Sequence, residues 1–454
     1  MSFRPESARL RVSGTIVPGC SLGMRVPAGP FFAQETTMTN AFRPCLSGLL
    51  VVCSLLLSVP ATPARAQWTV TNLHPAGAIN SRATGGSGGT QVGYVQVGPT
   101  VGHYRASLWT GTAASWVNLH PAGTVYSIGY GGAGANQVGE VYTDGLPRAS
   151  IWSGSSGTWI NLHPAGPWTN SSAFNMADGQ QVGRTYAGGY NAALWSGSAA
   201  SWVNLNPLPH PVSGYVRSSE ALGVSGGKQV GYVIDAGNKG AALWSGSAAS
   251  WVSLHPPQFY ESTAWGAGGG QQVGQVRNIV TNQLIASLWS GSAASWVSLQ
   301  PAGTNFSNAL AASGGRQVGN AYIGGSYHAS LWSGTAASWV DLSTFLPAGF
   351  TRSEASAIWS DGTTICIAGY GFNSIYQRDE ALLWTNRAPC KGDLNGDGLV
   401  DDSDFSPFAV AYNILDCADP AMPAGCPSDL NGDGLVDDLD FQVFLVAYNA
   451  LVCP

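Results

Sequence analysis

The stretch LWSGSAASW stands unchanged at residues 194–202, 243–251 and 288–296, and with few changes at 108–116, 151–159 and 331–339. It contains two tryptophans and no charged residue. Repetition this faithful is typical of a structural unit, because a catalytic site is normally singular. Only 10% of the chain is charged, while 60 glycines and 17 tryptophans suit short strands and tight turns. We therefore predict a mainly β protein.

The stretch belongs to a unit of about 43–49 residues that recurs between residues 67 and 389, a period in the range of four-stranded propeller blades. Four short runs per unit, separated by Gly or Pro breaks, predict four antiparallel strands. We name them a (Ser-x-Ala), b (QVG), c (LW or IW) and d (SWV or a variant). The marks are QVG at Gln91, Gln137, Gln181, Gln229, Gln272 and Gln317, with a degenerate IAG ending at Gly369; LW at Trp109, Trp152, Trp195, Trp244, Trp289, Trp332 and Trp384; and SWV at Trp68, Trp116, Trp159, Trp202, Trp251, Trp296 and Trp339.

The order of these marks predicts a closed ring. The repeats begin with a d-type segment, WTVTNL at 68–73, and end with a c-type segment, EALLW at 380–384. Seven a-b-c sets then leave the last blade without its own d strand, and the N-terminal segment can supply it. Such pairing removes open sheet edges. We predict a seven-bladed β-propeller closed by the N-terminal strand; the competing architecture is an open β-solenoid, which would need capping units at both ends.

The repeat resembles the extracellular HAF repeat, in which an AFLW-like strand, a Leu-containing strand and a GQVVG-like strand follow one another. The corresponding letters here are ASLW, VSL or VNL, and QQVGYV, over most of residues 67–389. The resemblance implies an exported repeat protein without naming a ligand.

Residues 38–66 have the layout of a secretory signal peptide, with Arg43, an apolar run from Leu46 to Val59 and Ala64-Arg65-Ala66 before Gln67. A transmembrane anchor is the alternative, but the run is short for a membrane span. Residues 1–37, before the second Met38, are interpreted as an over-extended start. The mature chain would carry a net charge of −10, with 12 of its 23 acids after Cys390. We expect an exported protein with no membrane span in the mature chain and no nucleic-acid partner.

The repeats offer no catalytic constellation. SGSSGTW at 153–159 is similar to the Asp-box of sialidase-like propellers but is one residue short and lacks the Asp in every copy. Glycoside hydrolysis needs two carboxyl groups at a common site. The acids of the repeats instead fall at different repeat positions, at Glu140, Asp144, Asp178, Glu220, Asp235 and Glu261.

The tryptophan pairs and the histidines of the LHP motif are candidates for binding sites. Each pair, such as Trp195 and Trp202, would either pack between blades or form a sugar-stacking platform; we favour packing, since every blade has the pair. The LHP histidines would serve either as a metal site or as polar turn residues, and they stand at 74, 120, 163 and 255. We favour the turn role, because successive blades hold these positions too far apart to share one ion.

The chain beyond Pro389 has a different character, in which DLNGDGLVDDSDF at 393–405 recurs as DLNGDGLVDDLDF at 429–441. Oxygen ligands at loop positions 1, 3, 5, 9 and 12, a backbone carbonyl at position 7 and Gly at position 6 are what an EF-hand-like turn needs for Ca²⁺. A helix is predicted after each loop from the spacing of Phe405, Phe408 and Tyr412 and of their counterparts 36 residues later. The predicted ligands of two calcium ions are Asp393, Asn395, Asp397, Leu399, Asp401 and Asp404, then Asp429, Asn431, Asp433, Leu435, Asp437 and Asp440.

The tandem loops at residues 390–454 resemble a type I dockerin. The resemblance implies an adhesion module that docks onto a cohesin domain in polysaccharide-degrading assemblies. The recognition positions of that family fall on Asp402-Ser403 and Asp438-Leu439, where the usual Ser-Thr pair is absent. The basic residue expected further along each helix is replaced by Val410 and Val446.

Four cysteines flank the loops with the same offset of 36, and an exported protein favours disulfides. Pairing Cys390 with Cys417 would respect the internal symmetry but would have to span a helix. We predict Cys390–Cys453 and Cys417–Cys426, which suit a small module with little core.

The resulting domain organisation is 1–37, 38–66 (signal peptide), 67–389 (propeller) and 390–454 (calcium module). We predict a secreted, non-catalytic binding or scaffold protein of a polysaccharide-degrading or cell-surface assembly, with a glycan, a cohesin-like protein or a cell-surface protein as partner. The alternatives are a polysaccharide-active hydrolase or its accessory subunit, and a purely structural surface protein.

Overall fold

The computed structural model describes residues 68–209, 217–362, 364–387, 391–395 and 399–450. The segment 1–37 and the signal peptide predicted at 38–66 lie outside these residues. No helix in the described part of the chain is long and apolar enough to cross a membrane.

The predicted seven-bladed propeller is confirmed. Seven four-stranded antiparallel sheets form, and each of the first six takes its strands in chain order. Blades 1 to 3 contain β2 Asn80–Ser87, β3 Thr90–Gln96, β4 Tyr104–Trp109 and β5 Val117–Asn118; β6 Ser127–Ala133, β7 Asn136–Thr143, β8 Leu146–Trp152 and β9 Ile160–Asn161; and β10 Asn170–Ala177, β11 Gln180–Tyr186, β12 Tyr190–Trp195 and β13 Val203–Asn204.

Blades 4 to 6 repeat the arrangement, and each again ends in a d strand of two residues. Such short outer strands offer little edge for pairing with another chain. The strands are β14 Ser218–Ser225, β15 Lys228–Asp235, β16 Asn238–Trp244 and β17 Val252–Ser253; β18 Phe259–Gly268, β19 Gln271–Asn278, β20 Leu284–Trp289 and β21 Val297–Ser298; and β22 Ser307–Ser313, β23 Arg316–Ile323, β24 Ser326–Trp332 and β25 Val340–Asp341.

Blade 7 is completed by the N-terminal strand, as predicted. It consists of β26 Phe350–Ser360, β27 Thr364–Asn373 and β28 Arg378–Arg387, with β1 Trp68–Asn72 paired to β28. The register pairs Val70 with Trp384. This pairing corrects one assignment. The backbone hydrogen bond from Leu73 N to Ala381 O matches the bond from Leu119 N to Ala106 O in blade 1. Val70, and not Trp68, therefore occupies the position of the SWV tryptophan. Trp68 instead packs near Phe345.

The hydrophobic core lies between blades. The tryptophan of strand c is fully buried in all seven blades. Trp244 of blade 4, for example, packs in one cluster with Val182 and Leu194 of blade 3. Burying one such side chain stabilises the fold by roughly 1.5–3 kcal/mol, so the seven tryptophans dominate the interfaces.

The LWSGSAASW stretch is a tight c–d connection built around a single-turn helix, Ala199–Ser201. Gly197 has φ +85°, which glycine adopts without strain. Its N–H donates to Gln181 Oε1 at 2.6 Å, while Gln181 Nε2 donates to Gly179 O. The buried QVG glutamine therefore ties the a–b turn to the c–d turn. The same acceptor role is filled by Gln91, Gln137, Gln229, Gln272 and Gln317.

A second repeated hydrogen-bond chain, which we call the interblade clamp, joins neighbouring blades. Ser219 Oγ accepts a hydrogen bond from Ala192 N of the preceding blade at 3.0 Å and donates to Asn206 Oδ1 at 2.7 Å. The clamp recurs in every blade and also joins blade 7 to blade 1. Its serines are Ser81, Ser127, Ser171, Ser219, Ser262, Ser307 and Ser353.

The C-terminal module has two helices, α1 Asp402–Tyr412 and α2 Asp438–Ala450. Phe408 and Phe444 stack at its centre with ring centroids 4.8 Å apart. Val400 and Val436, one from each loop, are fully buried in the same cluster. The two predicted helices are therefore present, and their aromatic residues form a small core.

Candidate functional site

The seven inner strands surround a channel. We call the end at which these strands begin the mouth. Two positions of each blade lie there, the x of Ser-x-Ala and the residue after QVG, and they are cross-strand partners. The surrounding residues hardly change between blades, whereas the members of these pairs are acidic, basic, amide, hydroxyl, aliphatic or aromatic. The pairs are Arg82–Tyr94, Ile128–Glu140, Ser172–Arg184, Glu220–Tyr232, Thr263–Gln275, Asn308–Asn320 and Glu354–Tyr370.

One side of the mouth is organised by Asp379 of β28. Arg82 Nε donates to Asp379 Oδ2 at 2.9 Å, and Arg352 Nη2 donates to Asp379 Oδ1 at 3.1 Å. The Arg82 guanidinium also lies 4.1 Å from the centre of the Tyr370 ring. We call Arg82, Arg352, Glu354, Tyr370 and Asp379 the Asp379 cluster.

Glu354 is the acid of this cluster that no arginine pairs directly. Its Oε2 accepts a hydrogen bond from Asn320 Nδ2 at 2.7 Å. Glu354 is partly exposed as a residue, but burial of its carboxyl raises the pKa above the ordinary value, against the opposing effects of Asn320 and Arg82. This acid therefore takes up a proton more readily than an exposed glutamate.

The other side of the mouth is organised by Arg184 and Glu220, whose Nη1 and Oε1 lie 2.9 Å apart. Glu140 accepts from Ser172 Oγ at 2.7 Å, and burial raises its pKa. The Lys239 ammonium lies 4.1 Å from the Tyr232 ring centre, and burial lowers its pKa. Every charge in this group therefore has a partner or an aromatic face.

A cavity of about 350 Å³ opens beside the Asp379 cluster, between blades 5, 6, 7 and 1. Its wall includes Gln275, Phe306, Asn308 and Tyr327 besides members of the cluster. Sequence reasoning did not single out these residues. The sequence does show that two positions vary in an otherwise constant repeat. Only the strand pairing shows that these two positions lie next to each other at the mouth.

The LHP histidines are parts of the interblade clamp, in agreement with the turn role. His120 Nδ1 lies 3.0 Å from Ser127 Oγ, and His163 Nδ1 lies 2.9 Å from Ser171 Oγ. In His74, Nε2 lies 3.1 Å from Ala78 O, which can only accept, so in the neutral imidazole Nε2 carries the hydrogen and Nδ1 accepts from the Ser81 hydroxyl at 2.8 Å. The same place is filled by His74, His255, Asn206, Gln300 and Ser343 in the other blades.

The tryptophan pairs pack rather than present free platforms. Trp195 is fully buried, and Trp202 joins the same cluster while contacting Trp168 at 4.8 Å between ring centres. In four blades the second tryptophan donates through Nε1 to a strand c serine, as Trp116 does to Ser107 at 2.9 Å. The second tryptophans are therefore held by the blades themselves.

The second acidic loop of the C-terminal module gathers three predicted calcium ligands. Carboxylate oxygens of Asp429, Asp433 and Asp440 lie within 4.8 Å of one another. Asp440 is fully buried and accepts hydrogen bonds from the backbone N–H groups of Leu430 and Asn431 at 2.7 and 2.9 Å. The geometry and the oxygen donors suit a hard cation such as Ca²⁺.

The first loop repeats this arrangement around Asp404, which is also fully buried and accepts from Leu394 N and Asn395 N at 2.7 and 3.0 Å. Asp397 lies outside the described residues. The remaining predicted ligands, Asp393, Leu399, Asp401, Asn431, Leu435 and Asp437, lie in the two loops or at their ends.

The residues at the predicted docking positions have contacts within the module. The Tyr412 hydroxyl donates to Asp438, and the Tyr448 hydroxyl donates to Asp402. The C-terminal part of each helix thus contacts the first residue of the other helix. Ser403 donates to Asp401 Oδ1 at 2.6 Å, and the Leu439 side chain is exposed.

One of the two predicted disulfides, Cys417–Cys426, is present. The other, Cys390–Cys453, lies outside the described residues. Cys417 N donates to Gly434 O at 3.1 Å, so the bridge adjoins the second acidic loop.

No protein-family model and no curated protein matches the chain. Among solved structures, it is similar to a puromycin hydrolase S511A mutant complexed with PGG, at 13% identity and TM-score 0.44 over 70% of this chain and 56% of that one. It is also similar to YCF48 bound to D1 peptide, at 11% identity and TM-score 0.42, over 73% of this chain and 100% of that one. A third similar structure is the β-propeller domain of the Trilobed protease from Pyrococcus furiosus, at 8% identity and TM-score 0.42, over 68% of this chain and 97% of that one. The chain thus covers little more than half of puromycin hydrolase.

Proposed function

We propose that this chain is an exported, non-catalytic binding protein whose propeller binds its ligand at the mouth. The observation that carries the proposal is the set of seven cross-strand pairs that vary in chemistry within a constant repeat. Positions that only pack are held to similar sizes by their neighbours, whereas positions that contact a ligand follow the shape and charge of that ligand.

The contacts of the acids favour binding over hydrolysis. Asp379 is shared by two arginines, Glu220 is paired with Arg184, and Glu140 and Glu354 accept hydrogen bonds from neighbouring side chains. A glycosidase needs one carboxyl group as acid and a second as base or nucleophile on the same substrate.

Incubation with a polysaccharide panel tests the non-catalytic role. We expect binding without product release. Sugar release that is abolished by one Asp or Glu substitution would establish the hydrolase alternative. Finding neither glycan nor protein binding would favour a structural surface protein.

The role of the mouth is tested by replacing both sides of it. Arg82→Ala and Arg184→Ala should each weaken capture of the ligand found in the panel or in the secreted fraction, whereas Arg316→Ala, at the far end of β23, should leave it unchanged. Equal binding by all three variants contradicts a ligand site at the mouth.

We further propose that the C-terminal module binds two Ca²⁺ ions. Asp429, Asp433 and Asp440 would hold one ion together with Asn431, the Leu435 carbonyl and Asp437, and the first loop would hold the other through the equivalent residues. Bound Ca²⁺ would neutralise the clustered carboxylates and so stabilise the loops.

Calorimetric titration with Ca²⁺ should report two ions for the native chain and one for Asp433→Ala. Asp419→Ala, outside the loops, is the matched control and should still bind two. Unchanged stoichiometry in Asp433→Ala, or an unchanged melting temperature after chelation, contradicts the assignment.

The dockerin-like character of the sequence supports attachment to a cohesin-like or cell-surface protein of a polysaccharide-degrading assembly. A pull-down from the organism's own secreted fraction should recover this partner with calcium and not after chelation. Recovery that is independent of calcium contradicts attachment through the loops.

A further inference from the structure

The geometry points to a neutral sugar ring as the ligand of the cavity beside the Asp379 cluster, with its hydroxyls on Asn308 and its apolar face against Phe306 and Tyr327. This inference rests on the proposed ligand-binding role of the mouth and names the ligand class for one part of it.

The size of the cavity favours a compact ligand. About 350 Å³ lies at the lower end of the range of ligand sites, which suits one or two sugar rings better than an extended peptide. The cavity is bounded by four blades, so a longer chain would continue outward from the mouth.

The charges of the cavity compensate one another. Arg82 and Arg352 converge on Asp379, and Glu354 lines the same cavity as both arginines. With Glu354 ionised, the two cations and two anions cancel. An ionic ligand would have to break these pairs, whereas a hydroxyl can bond to them without changing the net charge.

The side-chain oxygen of Asn308 lacks a hydrogen-bond donor among the described residues. This oxygen, Oδ1, is buried. An amide oxygen in this situation is costly, and rotation of the Asn308 side chain toward the cavity that it lines would let a ligand hydroxyl donate to this oxygen. A sugar hydroxyl donates and accepts at once, so it can bond to Asn308 and also accept from an amide such as Gln275, which lines the same wall.

The rim of the cavity carries exposed aromatic rings. Phe306 is 37% exposed and Tyr327 is 47% exposed, although both line the cavity. Tyr322 packs against both rings, with its ring centre 5.1 Å from that of Tyr327 and 6.3 Å from that of Phe306. The apolar face of a sugar ring can cover such rings while its hydroxyls point inward.

Calorimetric titration of the full chain tests the inference with three probes: neutral hexasaccharides of glucose, mannose, xylose and galactose; an oligogalacturonate; and a mixed peptide library. Asn308→Ala and Tyr327→Ala should weaken binding of one neutral hexasaccharide about tenfold each. Tyr126→Ala is the control for the loss of an aromatic ring away from the cavity: Tyr126 occupies in blade 2 the position of Phe306 in blade 6, and its removal should leave the affinity unchanged.

Thermal melts of each variant identify any that fail to fold, and Tyr327→Ala is the safer variant because its ring is half exposed. Binding of only oligogalacturonate or peptides, weakened by these variants, overturns the sugar assignment while leaving a ligand site at the mouth intact. Neutral-sugar binding that Asn308→Ala and Tyr327→Ala leave unchanged overturns the location. Binding of every class that is insensitive to all mouth variants, or no binding at all, overturns the proposed function as well.

Discussion

At the scale of single residues, one position of strand c determines whether the second tryptophan of a blade finds a hydrogen-bond partner. Where the strand reads ASLW or ASIW, the serine accepts from the indole, as Ser150 does from Trp159 at 2.9 Å. Where it reads AALW, the residue is Ala193 or Ala242, and the buried Nε1 of Trp202 or Trp251 has no hydrogen-bond partner among the described residues. The four serine-containing blades therefore show how the other two could be improved.

Ala193→Ser should stabilise the protein by about 0.5–1.5 kcal/mol, because its hydroxyl would accept from Trp202 Nε1 and donate to a backbone carbonyl as Ser150 does. The free energy of unfolding in urea measures the gain. Ser150→Ala should lower that free energy by a similar amount. A loss of stability in Ala193→Ser would show that blade 3 lacks room for the hydroxyl.

Gln229→Ala should destabilise the propeller by about 1–3 kcal/mol, because it leaves the N–H of Gly246 and the carbonyl of Gly227 without their side-chain partner inside the blade. Lys228→Ala removes an exposed side chain from the adjacent position and should change little. Equal melting temperatures for the two variants would contradict a structural role for the glutamine.

At the scale of the element, the interblade clamp explains why a position can be histidine, asparagine, glutamine or serine without altering the fold. Each of these side chains can accept the hydroxyl hydrogen of the clamp serine. Only histidine gains a proton near neutral pH, and protonation at Nδ1 would remove the acceptor. The clamps that contain histidine are therefore sensitive to acid.

Stability should fall as the pH drops below 6.5. Burial lowers the pKa of His74, His163 and His255, and that of His120 to about 4, so the folded protein binds fewer protons than the unfolded chain in this range. The contribution of these four histidines to the free energy of unfolding is fully present above pH 6.5 and is lost progressively down to about pH 4. Urea unfolding across this range should show the loss, and replacing all four histidines with asparagine, the residue of blade 4, should flatten it. An unchanged slope in the asparagine variant would assign the loss to other groups.

At the scale of the whole molecule, closure of the ring depends on a five-residue strand, β1. Thr69 and Thr385 are cross-strand partners whose hydroxyl oxygens lie 2.6 Å apart, which places their Cβ atoms close together. This pair offers a site for locking the ring covalently.

A disulfide in Thr69→Cys/Thr385→Cys should raise the free energy of unfolding by about 2–4 kcal/mol, because it closes a very long loop in the unfolded chain. Comparing oxidised and reduced protein isolates the effect of the bond. Equal stability of the two forms would contradict this gain and would indicate that strain at the new bond offsets the lower entropy of the unfolded chain.

The architecture was accessible from sequence because incomplete repeats at the two ends complement each other. The position of Trp68 was not, because a tryptophan alone does not define register, which the bond from Leu73 to Ala381 determines. The residues of the mouth were missed for a related reason. Arg82, Asn308 and Asp379 lie far apart in the chain, and only the closed ring brings their blades around one cavity.

The closure of blade 7 also sets an order of events in folding. β1 precedes every blade in the chain, yet its partner β28 begins about three hundred residues later. During synthesis, β1 therefore remains unpaired until β28 has been made. Contacts of such high sequence separation slow folding and leave a strand exposed meanwhile, so the completion of the ring is expected to be its final and slowest step.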